Sequence, residues 1–144
     1  MTRADQAASY FANNLNCAQS VFGAFCEKYG LDTKTAFRIA SGFGAGLRKA
    51  EVCGAVSGAV MVIGLKYGQK GPEDLDAKKL CNEKTLEFMN AFREKYGEVT
   101  CRGILGCDIS TPEGSQKARE DNLFKTICEQ KVRESVKLLE ELGY

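Results

Sequence analysis

Seven cysteines and no histidine restrict the chemistry open to this chain. Without imidazole there is no His-assisted triad, no Cys/His zinc finger and no imidazole acid or base. Polar chemistry falls to thiols, carboxylates, basic side chains and backbone groups. The best-placed thiol is Cys53. It stands at the entrance of the stretch Glu51 to Gly68, in which Val52 to Leu65 is an unbroken run of apolar and small residues apart from Ser57. A helix apolar on all sides belongs inside a protein, and this run is shorter than the roughly 20 apolar residues of a membrane crossing. In the first turn of such a helix Cys53 would meet unpaired N–H groups and the positive end of the helix dipole, both of which favour a thiolate.

The segments around Cys53 extend that expectation. Gly54, Ser57, Gly58 and Ala59 leave one side of the helix start nearly bare, so another helix or a cofactor can approach its backbone. Upstream, Ser41-Gly42-Phe43-Gly44-Ala45-Gly46 has glycines at alternate positions and leads to Arg48 and Lys49. Such a loop can turn its N–H groups inward. Its likeness to a phosphate loop is superficial, because no strand precedes it and no Gly-Lys-Ser/Thr ending follows. The loop either serves as flexible backbone that delivers the chain to the central helix or adds positive potential beside Cys53 through its N–H groups and Arg48 or Lys49. Gly42, Gly44, Gly46, Arg48, Gly54 and Gly58 are therefore the expected cofactor-facing residues. Glu51 is either an acid/base or dipole compensation, and Arg102 either stabilises a Cys101 thiolate or is solvated.

The elements that must position these residues read as all helical. Apolar residues recur at three- and four-residue spacing, and no segment sustains period-two alternation. The expectation is one domain over residues 1–144, an all-α bundle of about six to seven helices around a buried central helix at about 52–67. The first helix runs from about Arg3 to Ala12. Asn16 caps the next, Cys17 to Tyr29, which stops at Gly30. Asp32 or Thr33 caps a third, running to about Ser41. Pro72 opens a long helix to Tyr96, Cys101 to Gly106 forms a short helix or tight turn, Ser110 to Glu113 is a capped start, and Phe124 to Leu142 closes the chain with Cys128 inward. Cys26 and Cys81 lie on helical stripes and read as small hydrophobes of the core.

Composition narrows the partners. With 20 basic and 19 acidic residues, the net charge of +1 gives no basis for nucleic-acid or anionic-membrane binding. The polar start lacks the apolar core of a signal peptide, which makes the cytoplasm the default, and an odd cysteine count without a signal fits reduced thiols. The long helices carry enough apolar surface for a homodimer.

Asn16-Cys17-Ala18-Gln19, Ser41-Gly42-Phe43-Gly44, Glu51 to Gly58 (EVCGAVSG), Cys101-Arg102 with Leu105-Gly106, and Cys128 before a final amphipathic helix occur in that order. Over nearly its full length the chain thereby resembles the family named for the pattern C_GCAxxG_C_C. The resemblance implies redox activity, a bound prosthetic group such as an iron–sulfur cluster, and Cys17, Cys53, Cys101 and Cys128 as the four family cysteines. Four thiolates without imidazole are the ligand set of an iron–sulfur cluster or an all-cysteine zinc site. Without metal, they serve thiol–disulfide exchange with an external redox partner, and Cys53 is the expected attacking thiolate. Their long intervals contain no Cys-x-x-Cys pair, so the fold must assemble the site. Cys107, six residues after Cys101, is near enough to be a resolving thiol or spare ligand. The alternative is a non-catalytic metal- or small-molecule-binding accessory protein for a transporter or an oxidoreductase.

Overall fold

The computed structural model describes residues 1–144, in which eight α-helices are joined by turns and no strand forms. They are α1 (Arg3–Ala12), α2 (Cys17–Phe25), α3 (Thr33–Ala40), α4 (Gly54–Tyr67), α5 (Leu75–Tyr96), α6 (Cys101–Leu105), α7 (Pro112–Glu120) and α8 (Glu129–Glu141). The helix starts follow local chemistry. Asn16 accepts from the Gln19 N–H while the Gln19 side chain accepts from the Asn16 N–H, both at 2.8 Å, a reciprocal cap on α2. Asp32 caps α3, and Thr111 with Pro112 starts α7. α2 tightens into a 3₁₀ turn, Cys26–Tyr29, and ends at Gly30 with φ 85°.

α4 is the centre, with α2, α5 and α8 packed against it and α1 lying across α2 and α8. Ala55, Val56, Ala59, Val62 and Ile63 of α4 are fully buried in one core with Val21, Phe25, Phe88, Phe92, Val132, Val136 and Leu139. The buried Ser135 hydroxyl donates to the Ala55 carbonyl at 2.7 Å and ties α8 to α4. The bare side of α4 is occupied by α2: a Cβ on Gly58 would stand 2.7 Å from the Ala18 carbonyl oxygen, and one on Gly54 would stand 3.1 Å from the Cys17 Cβ. These small residues therefore let two helices touch backbone to backbone, which brings the start of α2 against the start of α4.

α4 begins at Gly54, two residues later than the pattern suggests, because Val52 pairs with Thr100 in an isolated antiparallel bridge. Likewise α5 begins at Leu75, after a turn that contains Pro72. A second, small cluster of Ala50, Cys101 and Leu105 sits beside the main core, and Cys107, Ile109, Leu123 and Cys128 pack against it. No helix is long and apolar enough to cross a membrane.

Candidate cysteine site

Cys17, Cys53, Cys101 and Cys128 line one cavity of about 170 Å³. That is below the roughly 300–1,000 Å³ of pockets that take small organic ligands, so a nucleotide-sized cofactor does not fit. Phe11, Ile104, Ile109 and Phe124 make its walls apolar, and Asn16, Arg48 and Lys131 are its polar side chains.

Each thiol arrives by a different device. Cys17 is the first residue of α2, directly after the Asn16 cap, whose side-chain amide also donates to the Ser41 carbonyl at 3.0 Å. Cys53 and Cys101 are brought together by the bridge between their segments: Cys53 N–H donates to the Val99 carbonyl at 2.8 Å, and Cys101 N–H donates to the Glu51 carbonyl at 2.6 Å. Extended backbone alternates its side chains. With Val52 opposite Thr100, Cys53 and Cys101 are diagonal neighbours on the other face. Cys128 ends a wide turn with i→i+5 hydrogen bonding, Phe124–Cys128, that runs into α8. Such turns re-aim side chains within helices and recur at functional sites.

The fourth wall is a left-handed turn. Ala45, Gly46, Leu47 and Arg48 have φ of 53°, 58°, 58° and 64°, and Ala50 has φ 57°. For residues with a Cβ this conformation costs about 1–2 kcal/mol each. Arg102 holds the turn: its Nε donates to the Ala50 carbonyl at 3.1 Å, and its Nη2 to the Lys49 carbonyl at 3.2 Å and the Glu51 carboxylate at 2.8 Å. Arg102 thus serves the loop and not the Cys101 thiolate, and the Glu51 carboxylate is taken up by Arg102. Gly46 and Arg48 line the cavity, whereas Gly42 is exposed with open space around it. Gly44 presses on Asn16, Gly54 meets both cavity and α2, and Gly58 lies under Ala18. Of the six expected cofactor-facing residues, Gly46, Arg48 and Gly54 line the cavity and Gly42, Gly44 and Gly58 do not, and α2 covers the bare face of α4.

Burial reverses the expectation for Cys53. It is the cap residue of α4, not part of its first turn, and the Ala55 and Val56 N–H groups do favour its thiolate. Desolvation outweighs them and pushes the thiol up to about 11. Burial, followed by the charges of Cys53 and Cys128, pushes Cys101 to about 12. The low thiol is Cys128, because the Cys17 thiol donates to it and holds it below the ordinary value of 9.0. Cys17 moves the opposite way, held up first by Cys128 and then by burial. Cys128 is therefore the more readily ionised thiol of the pair. The sign follows: a lowered thiol is ionised below the usual range, a raised one only above it. Titrated with a small alkylating agent, Cys128 is expected to label first as pH rises, with Cys53 and Cys101 lagging until pH approaches about 11 and about 12. Peptide mass spectrometry at each pH reads the order; Cys53 labelling before Cys128 contradicts it.

Lys131 does not stand out in the sequence, although it lies three residues after Cys128 on the same helical face. Its ammonium sits over the Tyr96 ring at 5.1 Å, bonds the Glu134 carboxylate at 2.9 Å, and lowers the Cys53 thiol. Cys26 is fully buried with its thiol on the Gly23 carbonyl, and Cys81 packs on the main core. Neither lines the cavity; nor does Cys107.

The donor chemistry of four thiols suits a cluster or zinc. Their arrangement does not: no three Cys, Asp or Glu side chains are grouped closely enough to hold one ion. No curated protein and no solved structure matches the chain. The family model described as "Putative redox-active protein (C_GCAxxG_C_C)" matches residues 15–142, a span that contains α2 through α8 and all four cavity cysteines. The chain belongs to that family.

Proposed function

We propose that this is a thiol–disulfide redox protein whose working pair is Cys17 and Cys128. The observation that carries the reading is the meeting of Cys17 and Cys128 in the lining of one apolar cavity, where Cys17 lowers the Cys128 thiol and is itself raised by it. It supplies a more readily ionised attacker and a second thiol in the same cavity to resolve the mixed disulfide. The Cys128 thiolate attacks one sulfur of an external disulfide, forming a mixed disulfide and releasing one thiolate. That thiolate takes the Cys17 proton, and Cys17 attacks the Cys128 sulfur and expels the second thiolate. Two protein thiols become one disulfide, and the external disulfide becomes two thiols, the second after taking a proton from water. Asn16 and the α2–α4 contact hold Cys17 in place, and Phe11 and Phe124 keep bulk water off the pair.

A second reading, four cysteines as ligands of an iron–sulfur cluster, is supported by their number, twice what one disulfide uses. It requires the sulfurs to close in from where they stand. Protein purified without oxygen, assayed for iron and acid-labile sulfide and then titrated in thiol/disulfide buffers, separates the two. The expected result is little metal and a two-electron transition. Stoichiometric iron and sulfide would replace the first reading by the second, and a bound ligand without any redox transition would point to a non-catalytic accessory role.

A further inference from the structure

The cavity that Cys17 and Cys128 share sorts what can reach them by size and by charge. At about 170 Å³ it is close to the roughly 150 Å³ that encloses a benzene-sized guest, so one short arm of a small disulfide fills it. Phe11, Ile109 and Phe124 give that arm apolar walls. The charged side chains of the lining are Arg48 and Lys131, both cations, and no Asp or Glu lines it.

The polar groups of the lining are taken, with one exception. Lys131 bonds the Glu134 carboxylate at 2.9 Å, and the Asn16 side chain is shared between the Gln19 N–H and the Ser41 carbonyl. Arg48 is exposed at the cavity rim and enters none of the ion pairs of the fold. The loop carbonyls and Glu51 take their guanidinium from Arg102 instead. Leu47 and Arg48 hold φ of 58° and 64° although both are exposed, so no burial of their side chains offsets the left-handed backbone. Such positions persist only where their surroundings enforce them, and they cluster at ligand clamps. What this turn delivers is a free guanidinium, a planar fork matched to a carboxylate, at the mouth of a thiol cavity.

We infer that Arg48 is the specificity residue of this site and that its substrate is a small disulfide carrying a carboxylate on a short arm. The inference rests on the thiol–disulfide reading above. The carboxylate pairs with Arg48 at the rim while its arm occupies the cavity and brings one sulfur to Cys128. The Cys128 thiolate bonds to that sulfur, the substrate S–S bond breaks, and the far arm leaves as a thiolate that takes the Cys17 proton. Cys17 then attacks the Cys128 sulfur and expels the near arm as the second thiolate, which takes a proton from water. Two protein thiols lose two electrons, and the substrate disulfide gains them. With a chain net charge of +1, long-range steering is weak, so the preference is set at the rim. Lys49, the next residue, lies outside the lining, and its charge acts on Asp108.

The test mixes the full chain, purified without oxygen, with three disulfides of equal length whose arms end in a carboxylate (dithiodiglycolate), a hydroxyl (hydroxyethyl disulfide) or an ammonium (cystamine). Quench alkylation and mass spectrometry give the rate at which Cys17 and Cys128 join, divided in each case by the rate of the same disulfide with mercaptoethanol. In the parent the carboxylate compound is expected to exceed the ammonium compound at least tenfold, the effect of one charge-assisted hydrogen bond. Arg48→Gly keeps the turn, because glycine adopts positive φ freely, and should bring that ratio close to one. Lys49→Gln should leave it at the parent value. A parent ratio near one, a parent ratio retained in Arg48→Gly, or an equal loss in Lys49→Gln overturns the role of Arg48, and the thiol–disulfide reading stands as long as hydroxyethyl disulfide joins Cys17 to Cys128. If none of the three compounds joins them, that reading falls and takes this inference with it.

Discussion

Replacing Cys128 by serine is expected to abolish the two-electron transition, whereas Cys26→Ser leaves it in place. Cys128 is the more readily ionised partner, because Cys17 lowers its thiol. A serine hydroxyl there does not ionise in the accessible range and forms no disulfide. Cys17 is left as a single enclosed thiol, and both the burial and the neighbouring Cys53 and Cys101 charges that raise it remain. Its alkylation at pH 7.5 should fall far below that of Cys128 in the parent; each pH unit between two thiol pKa values is a factor of ten in thiolate fraction. The reciprocal variant, Cys17→Ala, removes the donor from Cys128, so the Cys128 labelling profile should move to higher pH. A thiol/disulfide titration and a pH series of quench alkylation read both effects. A Cys128→Ser protein that keeps the parent transition removes Cys128 from the mechanism. Cys26 is the control, because its thiol faces the Gly23 carbonyl in the main core, away from the cavity.

The largest effect on stability is expected at Gly58. A Cβ there would meet the Ala18 carbonyl oxygen at 2.7 Å and its Cα at 3.1 Å. Both are backbone atoms of α2, so no side-chain rotation relieves the clash; α2 has to lift from α4. Gly58→Val should cost about 3 kcal/mol, the upper part of the range for overpacked cores, read as a lowered urea midpoint of the helical signal. Lifting α2 also carries Cys17 away from Cys128, so the residual folded protein should lose the early labelling of Cys128. Gly64 is the contrast on the same helix. It is exposed, and a Cβ added there would have nothing within 4 Å, so Gly64→Ala should stabilise by roughly 0.5–1 kcal/mol through helix propensity. Equal and small changes at both positions would contradict the close α2–α4 contact.

Much of this is legible in the chain. Asn16 and Asp32 announce helix starts because capping is local chemistry, and Val56, Ala59, Val62 and Ile63 announce a buried helix because burial imposes apolar residues all round. The cavity is less legible, because its parts are non-local. The Val52–Thr100 bridge joins segments 48 residues apart, displaces the start of α4 and aligns Cys53 with Cys101, and no period in either segment signals it. Positive φ at Ala45, Leu47 and Arg48 contradicts residue preference and is held from outside by Arg102. Thiol acidity escapes the sequence for the same reason. A helix start argues for a Cys53 thiolate, but the burial that overrides it and the Cys17 donor that favours Cys128 come from other helices.

The pairing of the cavity cysteines bears most directly on the function. Protein purified without oxygen, oxidised in steps with a small disulfide, quenched and mapped by peptide mass spectrometry will show which sulfurs join first. The expected first product is the Cys17–Cys128 disulfide, with Cys53 and Cys101 still free thiols. Oxidation that leaves Cys17 and Cys128 free while Cys53 pairs with another cysteine would contradict the assignment of the working pair.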